Sequence, residues 1–332
     1  MATTNKKKVL FTDSMGRAGQ EILASRPDVE AIPFPNMAQD EEYRAILKKH
    51  APVHATILGG TRFRPAELEA AGAMECVARV GVGYDAIDIP GMTAAKVPVM
   101  IAGTANSPSV AEHAMSFMLT LARKGPELSA LVKEGRWGDR LKPSMISNDM
   151  FEKTVLIVGF GRIGTRTAKR CLAMEMQVLV YDPFVKAEAI KAAGCEPVTN
   201  LDAALPRADF VTIHCPKTPE TVGMFGAKQL KAMKPTAYLV STARGGIIDE
   251  KALHAALTDG TLPAAALDVF DREPPDPANP LFKLPNLLAS PHIAGVTAEA
   301  MERMSAEAAK NVLAVFDGAP RKENAVNPEI YG

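Results

Sequence analysis

The sequence has neither an excess of charge of one sign nor a long apolar run. Its net charge is zero, because 38 lysine and arginine residues balance 38 aspartate and glutamate residues in a chain of 332. A balanced charge provides no positive surface for nucleic acid or for an anionic membrane. No apolar run approaches the roughly 20 residues of a membrane span, and no apolar segment of signal-peptide length follows the N-terminal lysines. We therefore expect a cytoplasmic protein with neither a nucleic-acid nor a membrane partner.

Cysteine and histidine are also scarce. The four cysteines, Cys76, Cys171, Cys195 and Cys215, are widely separated and form no C-x-x-C pair. Zinc sites need such closely spaced ligands, so we expect no bound metal. The cysteines are interpreted as buried free thiols in a reducing compartment.

Short β-rich runs alternate with helical patterns over most of the chain. This alternation predicts the α/β class, with parallel sheets covered by helices on both faces. The length suits two domains. A first alternation fills about one hundred residues, a long apolar-striped helix follows in "SPSVAEHAMSFMLTLARK", and a second alternation begins at Thr154. The stretch 125–148 has no long regular pattern and contains the only tryptophan, Trp137, so we interpret it as an arm or extended loop and a candidate subunit contact.

The last long helical pattern, about residues 298–316, leaves two domain arrangements open. In the first, this helix returns to the first domain and covers a side of its core that would otherwise be bare. In the second, the chain is split once at about residue 105 and does not return.

A glycine-rich turn in the second alternation carries the strongest single motif. Gly159, Gly161 and Gly164 form G-x-G-x-x-G between the strand-like "TVLIV" and a helical pattern. In such a turn the first glycine permits the tight bend, the second lets a pyrophosphate approach the backbone, and the third lets the helix press on the strand. The helix N-terminus adds free N–H groups and partial positive charge. The complete context favours a dinucleotide site over a glycine-rich turn without a ligand.

Asp182 ends the next strand, 21 residues after Gly161, and predicts which dinucleotide binds. Its carboxylate can accept hydrogen bonds from both ribose hydroxyls and would repel a 2′-phosphate, which favours NAD(H) over NADP. Arg162, inside the loop, could pair with a phosphate or stay solvated. The strictness of the NAD preference therefore stays open.

Three further residues each follow a predicted strand and together suit hydride transfer to a 2-keto acid. They are Arg244 in "STARGG", Glu273 in "DVFDREPP" and His292 in "SPHIAG". Arg244 can bind a carboxylate and polarise the neighbouring carbonyl, His292 can give and take a proton, and Glu273 can raise the imidazole's pKa. Each alone could be an ordinary surface or core residue. Their joint position after successive strands, where α/β sheets bind ligands, favours catalysis.

With these motifs the chain resembles the D-isomer-specific 2-hydroxyacid dehydrogenases over nearly its whole length. The matching segments are "NSPSVAEHAMSFMLTLAR", "GFGRIG", "ARGGIIDE", "ALDVFDREPP" and "SPHIAG". The resemblance implies two Rossmann-like or flavodoxin-like domains with parallel sheets and usually a homodimer. It implies a substrate-binding domain of residues 1–105 plus 299–332, and an inserted NAD-binding Rossmann domain of residues 106–298.

The resemblance also implies residue roles. Arg244, Glu273 and His292 would be the catalytic set, and Asp268 would hold the nicotinamide carboxamide. The backbone of Val80, Gly81 and Val82, in "RVGVGYD", would bind the substrate carboxylate from the other domain, together with Arg244 and His292. The remaining predicted cofactor contacts are Ile163, Cys215, Pro216, Thr242, Ala243 and Gly295.

The expected activity is an NAD-dependent oxidoreductase of small D-2-hydroxy acids that runs mostly toward 2-keto acid reduction. Two substrate classes stay open, hydroxypyruvate or glyoxylate and 3-phosphoglycerate. In phosphoglycerate enzymes an arginine usually follows the strand that matches "HATIL", whereas Gly59 and Gly60 follow it here; Arg62 and Arg79 could substitute. Many phosphoglycerate enzymes carry a regulatory domain after the last helix, and we expect none here because few residues follow that helical pattern. The alternative function is an NAD-sensing, corepressor-like binding protein of the same fold.

Overall fold

The computed structural model describes residues 6–332 and divides into two compact α/β units. The five-stranded unit comprises the described residues up to Asn106 together with Gly295–Gly332, and the seven-stranded unit comprises Ser107–Ala294. The second unit is thus inserted in the sequence of the first. The predicted fold class is confirmed, whereas the assignment of substrate and NAD to particular residue ranges stays a prediction.

Strands and helices alternate in both units. The strands are β1 (Lys7–Thr12), β2 (Val29–Phe34), β3 (Val53–Leu58), β4 (Gly72–Arg79), β5 (Val99–Met100), β6 (Thr154–Val158), β7 (Gln177–Tyr181), β8 (Glu196–Val198), β9 (Phe210–Ile213), β10 (Tyr238–Ser241), β11 (Ala264–Leu267) and β12 (Leu287–Ala289). The α-helices are α1 (Arg17–Ala24), α2 (Asp40–His50), α3 (Pro65–Ala71), α4 (Ile89–Ala94), α5 (Ser107–Arg123), α6 (Gly125–Lys133), α7 (Gly164–Ala173), α8 (Ala187–Ala192), α9 (Leu201–Ala204), α10 (Ala227–Ala232), α11 (Glu250–Thr258) and α12 (Ala298–Phe316).

The order of the strands identifies two related topologies. The first sheet has the order β2-β1-β3-β4-β5, and the second has the order β12-β11-β10-β9-β6-β7-β8. Neighbouring strands pair in parallel in both. The first order is that of flavodoxin-like sheets, and the second extends the doubly wound Rossmann order. In each sheet the order reverses beside the first strand, β1 or β6, and ligands bind at such switch points.

Each sheet is covered by apolar side chains on both faces. In β6, Leu156 and Val158 belong to one buried cluster, whereas Val155 and Ile157 belong to the other. This alternation follows from the two-residue repeat of a strand and explains why buried parallel strands are nearly continuous apolar runs. Helix α5 supplies Ala114, Phe117 and Met118 to the second cluster.

Helix α12 covers one face of the five-stranded sheet. Its residues Ala308, Ala309 and Val312 are fully buried with Val9 and Phe11 of β1. These apolar side chains would be exposed to water without α12, so burial of hydrophobic area stabilises the return of the chain to this unit.

The arm at residues 125–148 is more regular than its sequence pattern predicts. It begins with helix α6, and two short 3-10 helices, Trp137–Leu141 and Pro143–Met145, follow. The helix was not predicted because its apolar residues do not form a buried stripe, and in α6 only Leu131 is buried. Trp137 keeps 63% of its surface exposed.

Of the helices among residues 6–332, none combines the length and the apolar character that crossing a bilayer requires.

Candidate active site

The predicted site residues of the seven-stranded unit follow the carboxyl ends of its strands. Gly159 follows β6, Arg244 follows β10, and His292 follows β12. The sheet order places β9, β10, β11 and β12 in succession beyond β6. Because parallel strands end at the same edge of a sheet, these residues share one edge, at which open α/β sheets bind their ligands.

The three glycines of the loop after β6 have different surroundings. Gly159 has a φ of +94°, and a Cβ there would lie 2.6 Å from the backbone nitrogen of Cys215, so only glycine lets β6 end so close to the loop after β9. A Cβ on Gly164 would collide with the carbonyl oxygen of Gly159, whereas a Cβ on Gly161 would meet no described heavy atom within 4 Å. The side chain of Ile163, at the N-cap of α7, makes no capping hydrogen bond. The open side at Gly161 and this helix N-terminus fit a dinucleotide pyrophosphate.

Asp182, directly after β7, ties the glycine loop to the end of its own strand. Its Oδ2 accepts a hydrogen bond from the Phe160 N–H at 2.7 Å, and its Oδ1 accepts one from the Phe184 N–H at 2.9 Å. A carboxylate oxygen can accept more than one hydrogen bond, so both oxygens can still receive ribose hydroxyls. Arg162 is exposed in the loop and Ile163 is half-buried just before α7.

His214, a half-buried histidine that no sequence motif singled out, lies among the predicted cofactor contacts after β9 and β10. His214 Nε2 is 3.0 Å from the Thr212 hydroxyl, and Nδ1 is 3.4 Å from the Thr242 hydroxyl. Burial lowers the pKa of His214 to about 3, so its ring is neutral. The predicted cofactor contacts after these two strands are Cys215, Pro216, Thr242 and Ala243. His214 directly precedes the first two of them, and this position in the sequence could have identified it.

The carboxylate of Asp268 organises the turn that carries His292. Asp268 is only 1% exposed. Its Oδ1 accepts the Ser290 hydroxyl at 2.5 Å and the Ile293 N–H at 2.8 Å, and its Oδ2 accepts the Ala294 N–H at 2.9 Å. Its main-chain oxygen accepts the His292 N–H at 2.8 Å. Asp268 therefore holds this turn from within, and Oδ2 keeps a lone pair that a carboxamide could use.

His292 and Glu273 form a close pair. His292 Nδ1 lies 2.6 Å from Glu273 Oε2, while Glu273 Oε1 accepts the Phe270 N–H at 3.0 Å. The hydrogen bond to Glu273 raises the pKa of His292, against the opposing effects of burial and of the Arg244 charge. Burial would raise the pKa of Glu273, but the hydrogen bonds from His292 and Phe270 outweigh it and lower that pKa. The pair therefore favours a protonated ring beside an ionised carboxylate.

Arg244 lies close enough to this pair for its charge to act on both members. Its Nη1 donates to the carbonyl of Ala243 at 2.8 Å. A Cβ on Gly245, the next residue, would collide with the carbonyl of Phe270, so the turn after β10 packs against the loop that leads to Glu273. The structure thus pairs His292 with Glu273 and places Arg244 at the same edge of the sheet.

The predicted substrate contacts Val80, Gly81 and Val82 lie in the five-stranded unit, directly after β4. The Val80 N–H donates to the carbonyl of Leu58 at 2.9 Å, and the Ala102 N–H donates to that of Gly81 at 2.8 Å. Gly295 begins the segment that returns to the same unit. Their roles in binding stay predictions.

The thiols and carboxylates do not form a metal site within residues 6–332, where no group of three or more potential ligands is suitably arranged. Cys76, Cys171 and Cys195 are buried free thiols, and Cys215 is half-buried. Burial raises the pKa of Cys215 to about 11, so its thiol stays protonated and weakly nucleophilic.

Comparison with known proteins places these features in a family. Residues 115–294 match the model of the D-isomer specific 2-hydroxyacid dehydrogenase, NAD binding domain. The D-3-phosphoglycerate dehydrogenase of Archaeoglobus fulgidus is 40% identical over 291 residues, which are 88% of this chain and 54% of the relative. The glyoxylate reductase of Korarchaeum cryptofilum is 38% identical over 263 residues, 79% of each chain. The chain thus spans about half the length of the phosphoglycerate relative.

A solved structure extends the similarity to the whole fold. The D-lactate dehydrogenase from Aquifex aeolicus, complexed with NAD and lactic acid, superposes with a TM-score of 0.81 at 29% identity. The match covers 96% of this chain and 99% of that one.

Proposed function

The chain belongs to the D-isomer-specific 2-hydroxyacid dehydrogenase family, and we propose that it interconverts a small 2-keto acid and its D-2-hydroxy acid with NAD(H). One observation carries the proposal. His292 Nδ1 lies 2.6 Å from Glu273 Oε2, at the sheet edge that also carries Arg244 and the glycine loop. A proton donor, a group that keeps it protonated, an anion-binding guanidinium and a dinucleotide cradle are the parts that this reaction requires.

In this proposal His292 moves the proton. Because Nδ1 faces Glu273, the other ring nitrogen, Nε2, gives a proton to the substrate oxygen in reduction and removes it in oxidation. Glu273 stabilises the charged ring and holds its orientation. Together they keep an acid available near neutral pH.

Arg244 binds the substrate. Its planar guanidinium offers parallel N–H donors to the 2-keto acid carboxylate and can polarise the adjacent carbonyl. The backbone of Val80, Gly81 and Val82 binds the same carboxylate in the proposed complex.

The cofactor is held by the loop after β6 and the strand ends beside it. The chemistry that a bound nicotinamide supplies is hydride transfer at the substrate carbon. Asp182 selects NAD over NADP, since its carboxylate can accept the ribose hydroxyls and would repel a 2′-phosphate. Asp268 holds the carboxamide. The proposed contacts are Gly159, Gly161, Arg162, Ile163, Gly164, Asp182, Cys215, Pro216, Thr242, Ala243, Asp268 and Gly295.

Within the two open substrate classes, the packing after β3 favours glyoxylate or hydroxypyruvate over a phosphorylated acid. A Cβ on Gly59 would collide with Asn36 Oδ1, and one on Gly60 would collide with Met37 Sδ. An arginine at either position would therefore need its neighbours to move. Arg79 already donates to the carbonyl of Gly59. A phosphate needs a cationic partner. The two glycines after β3 supply none, whereas an arginine at this place would.

The direct test is NADH oxidation with a panel of keto acids, namely glyoxylate, hydroxypyruvate, pyruvate, 2-ketoglutarate and phosphohydroxypyruvate. Turnover of glyoxylate or hydroxypyruvate is expected, with a lower kcat/KM for phosphohydroxypyruvate. If none of them is reduced while NADH still binds, the dehydrogenase proposal is wrong and the corepressor-like alternative gains support.

The pH dependence tests the catalytic pair. The pKa of His292 is raised in the folded protein, so reduction should decline only as the pH rises through this raised value, and oxidation should increase there. Glu273→Gln removes the negative charge and should move both transitions to lower pH. Identical pH profiles of the parent and this variant would contradict the pairing.

A homodimer and a cytoplasmic location are also part of the proposal. The arm at residues 125–148 exposes Val132, Trp137, Leu141 and Ile146, each by more than half of its surface. Several large apolar side chains exposed on one short segment favour a protein contact there. Light scattering on the full chain should give twice the monomer mass, and a single-chain mass at micromolar concentration would argue against the dimer.

A further inference from the structure

Two polar residues outside the predicted catalytic set are connected to the turn that carries His292. His113, on α5, has its Nε2 3.0 Å from Ser290 Oγ and 3.9 Å from Asp268 Oδ1. Ser290 Oγ is in turn 2.5 Å from Asp268 Oδ1. The His113 ring is held in place by an edge contact with Phe117, with the ring centres 4.4 Å apart. A continuous polar chain therefore links α5 to the end of β11.

The direction of these hydrogen bonds follows from what each group can donate. Asp268 accepts the backbone N–H groups of Ile293 and Ala294, and an ionised carboxylate can only accept. The Ser290 hydroxyl therefore gives its single proton to Asp268. Its oxygen can then only accept from His113, so Nε2 of His113 carries a hydrogen. The chain runs from His113 to Ser290 to Asp268.

The turn needs such support because the backbone of His292 is strained. His292 has a φ of +52°, in the left-handed region that is unfavourable for a residue with a Cβ. The main-chain oxygen of Asp268 binds the N–H of His292 itself, and its carboxylate binds the N–H groups of the next two residues. The Asp268 residue thus binds three successive N–H groups of the turn, two of them through its carboxylate.

We propose that His113 and Ser290 are positioning residues for His292. They hold the Asp268 carboxylate in the orientation that fixes the turn at residues 290–294, and the turn keeps the imidazole against Glu273. The charged groups that act on the His292 ring are Glu273, Arg244 and Asp268. The consequence for catalysis rests on the proposed function, whereas the consequence for the geometry of the ring does not.

The geometric consequence is tested by NMR titration of the cofactor-free full chain labelled with 15N-histidine. The chain has six histidines, and His292→Gln identifies the signal of His292. We expect the parent ring to titrate above the ordinary value of about 6.5, and Ser290→Ala and His113→Leu to move the transition toward that value. Unchanged titration of His292 in both variants would overturn the proposal.

Conservative variants separate positioning from general loss of packing. His113→Gln keeps an N–H donor that can reach Ser290, and Ser290→Thr keeps the hydroxyl, so both should restore the titration of the parent. As a control, His254→Leu removes a half-buried ring on α11, and the titration of His292 should stay unchanged. If His113→Gln behaves like His113→Leu although both are folded by circular dichroism, hydrogen-bond donation is not the role of His113.

The catalytic consequence is measured separately. With a keto acid that the parent reduces, Ser290→Ala and His113→Leu should each lower kcat about tenfold, equivalent to about 1.4 kcal/mol, with KM nearly unchanged. In a Glu273→Gln background, Ser290→Ala should cause no further shift of the pH profile, because both changes act on one pair. A lowered kcat with the pH profile of the parent would overturn the positioning role. If the parent reduces no keto acid, the proposed function fails, and the NMR titration still decides this inference.

Discussion

Helices α1 and α7 occupy equivalent places in the two units, yet their N-termini are used in opposite ways. Each helix follows the first strand of its sheet and starts beside a glycine. At α1, the Glu302 carboxylate accepts the N–H groups of Arg17 at 3.1 Å and Ala18 at 2.7 Å, and Ser305 Oγ accepts that of Gly16 at 2.7 Å. At α7, by contrast, the side of Gly161 faces open space.

Equivalent positions in two related topologies therefore do not by themselves make a phosphate site. A helix N-terminus attracts negative charge in either unit. In the five-stranded unit the returning helix α12 supplies that charge from within, through Glu302. In the seven-stranded unit the Asp182 carboxylate binds the N–H groups of Phe160 and Phe184, which lie outside α7.

We expect the strongest effect from a side chain at Gly161. Gly161→Val places one where the pyrophosphate is proposed to lie, and a Cβ at this position meets no described heavy atom within 4 Å. We expect the Kd for NADH to rise about one hundredfold, or about 2.7 kcal/mol, with little change in melting temperature. Fluorescence titration and thermal unfolding measure the two quantities.

Gly19→Val is the matched control in the other unit. A Cβ on Gly19 would lie 2.5 Å from the carbonyl of Ser305, so this substitution should lower the melting temperature and leave NADH affinity unchanged. If both substitutions affect stability alone, the two helix ends are not used differently.

An intermediate effect is expected from the carboxylate beside the open end. Asp182→Asn removes the negative charge and keeps an oxygen that can accept a backbone N–H. Without the repulsion of a 2′-phosphate, the ratio of the Kd values for NADPH and NADH should fall about tenfold, or about 1.4 kcal/mol. Titration of the variant and the parent with NADH and with NADPH gives this ratio. An unchanged ratio would mean that groups other than Asp182 discriminate between the two cofactors, with Arg162 the first candidate.

The smallest effect is expected at the closed end. Glu302→Ala leaves two N–H groups of α1 without their acceptor and should reduce the free energy of unfolding by about 1 kcal/mol. Glu302→Gln keeps one acceptor oxygen and should lose less. Urea unfolding of the parent, Glu302→Ala and Glu302→Gln gives the order of their free energies of unfolding. Equal stability of all three would mean that the Glu302 carboxylate does not hold α12 to α1.

Local patterns predicted the elements around the glycine loop correctly. The strand, turn, helix and second strand form one uninterrupted segment, so each glycine could be interpreted from its neighbours in the chain. Arg244, Glu273 and His292 could also be identified from local patterns, because each lies shortly after an apolar strand-like run.

Elsewhere the local pattern was too weak. Strand β2 and helix α2 were not predicted, because β2 contains a proline and exposed residues and α2 buries only Tyr43 and Leu47. His113 and His214 were not selected either. A histidine in an apolar segment is usually an ordinary core residue, and only its partners in space distinguish these two.

The α/β class, the dinucleotide loop and the candidate catalytic set could be predicted from the sequence, because each is encoded by neighbouring residues or by a polar residue placed after each of several successive strands. Which helix end is capped, and which polar groups lie against the turn of His292, became evident only from the packed structure. Glu302 caps an N–H group 284 positions away, and His113 meets Ser290 across 177 positions. Contacts over such separations depend on how the helices pack, and no local pattern specifies them.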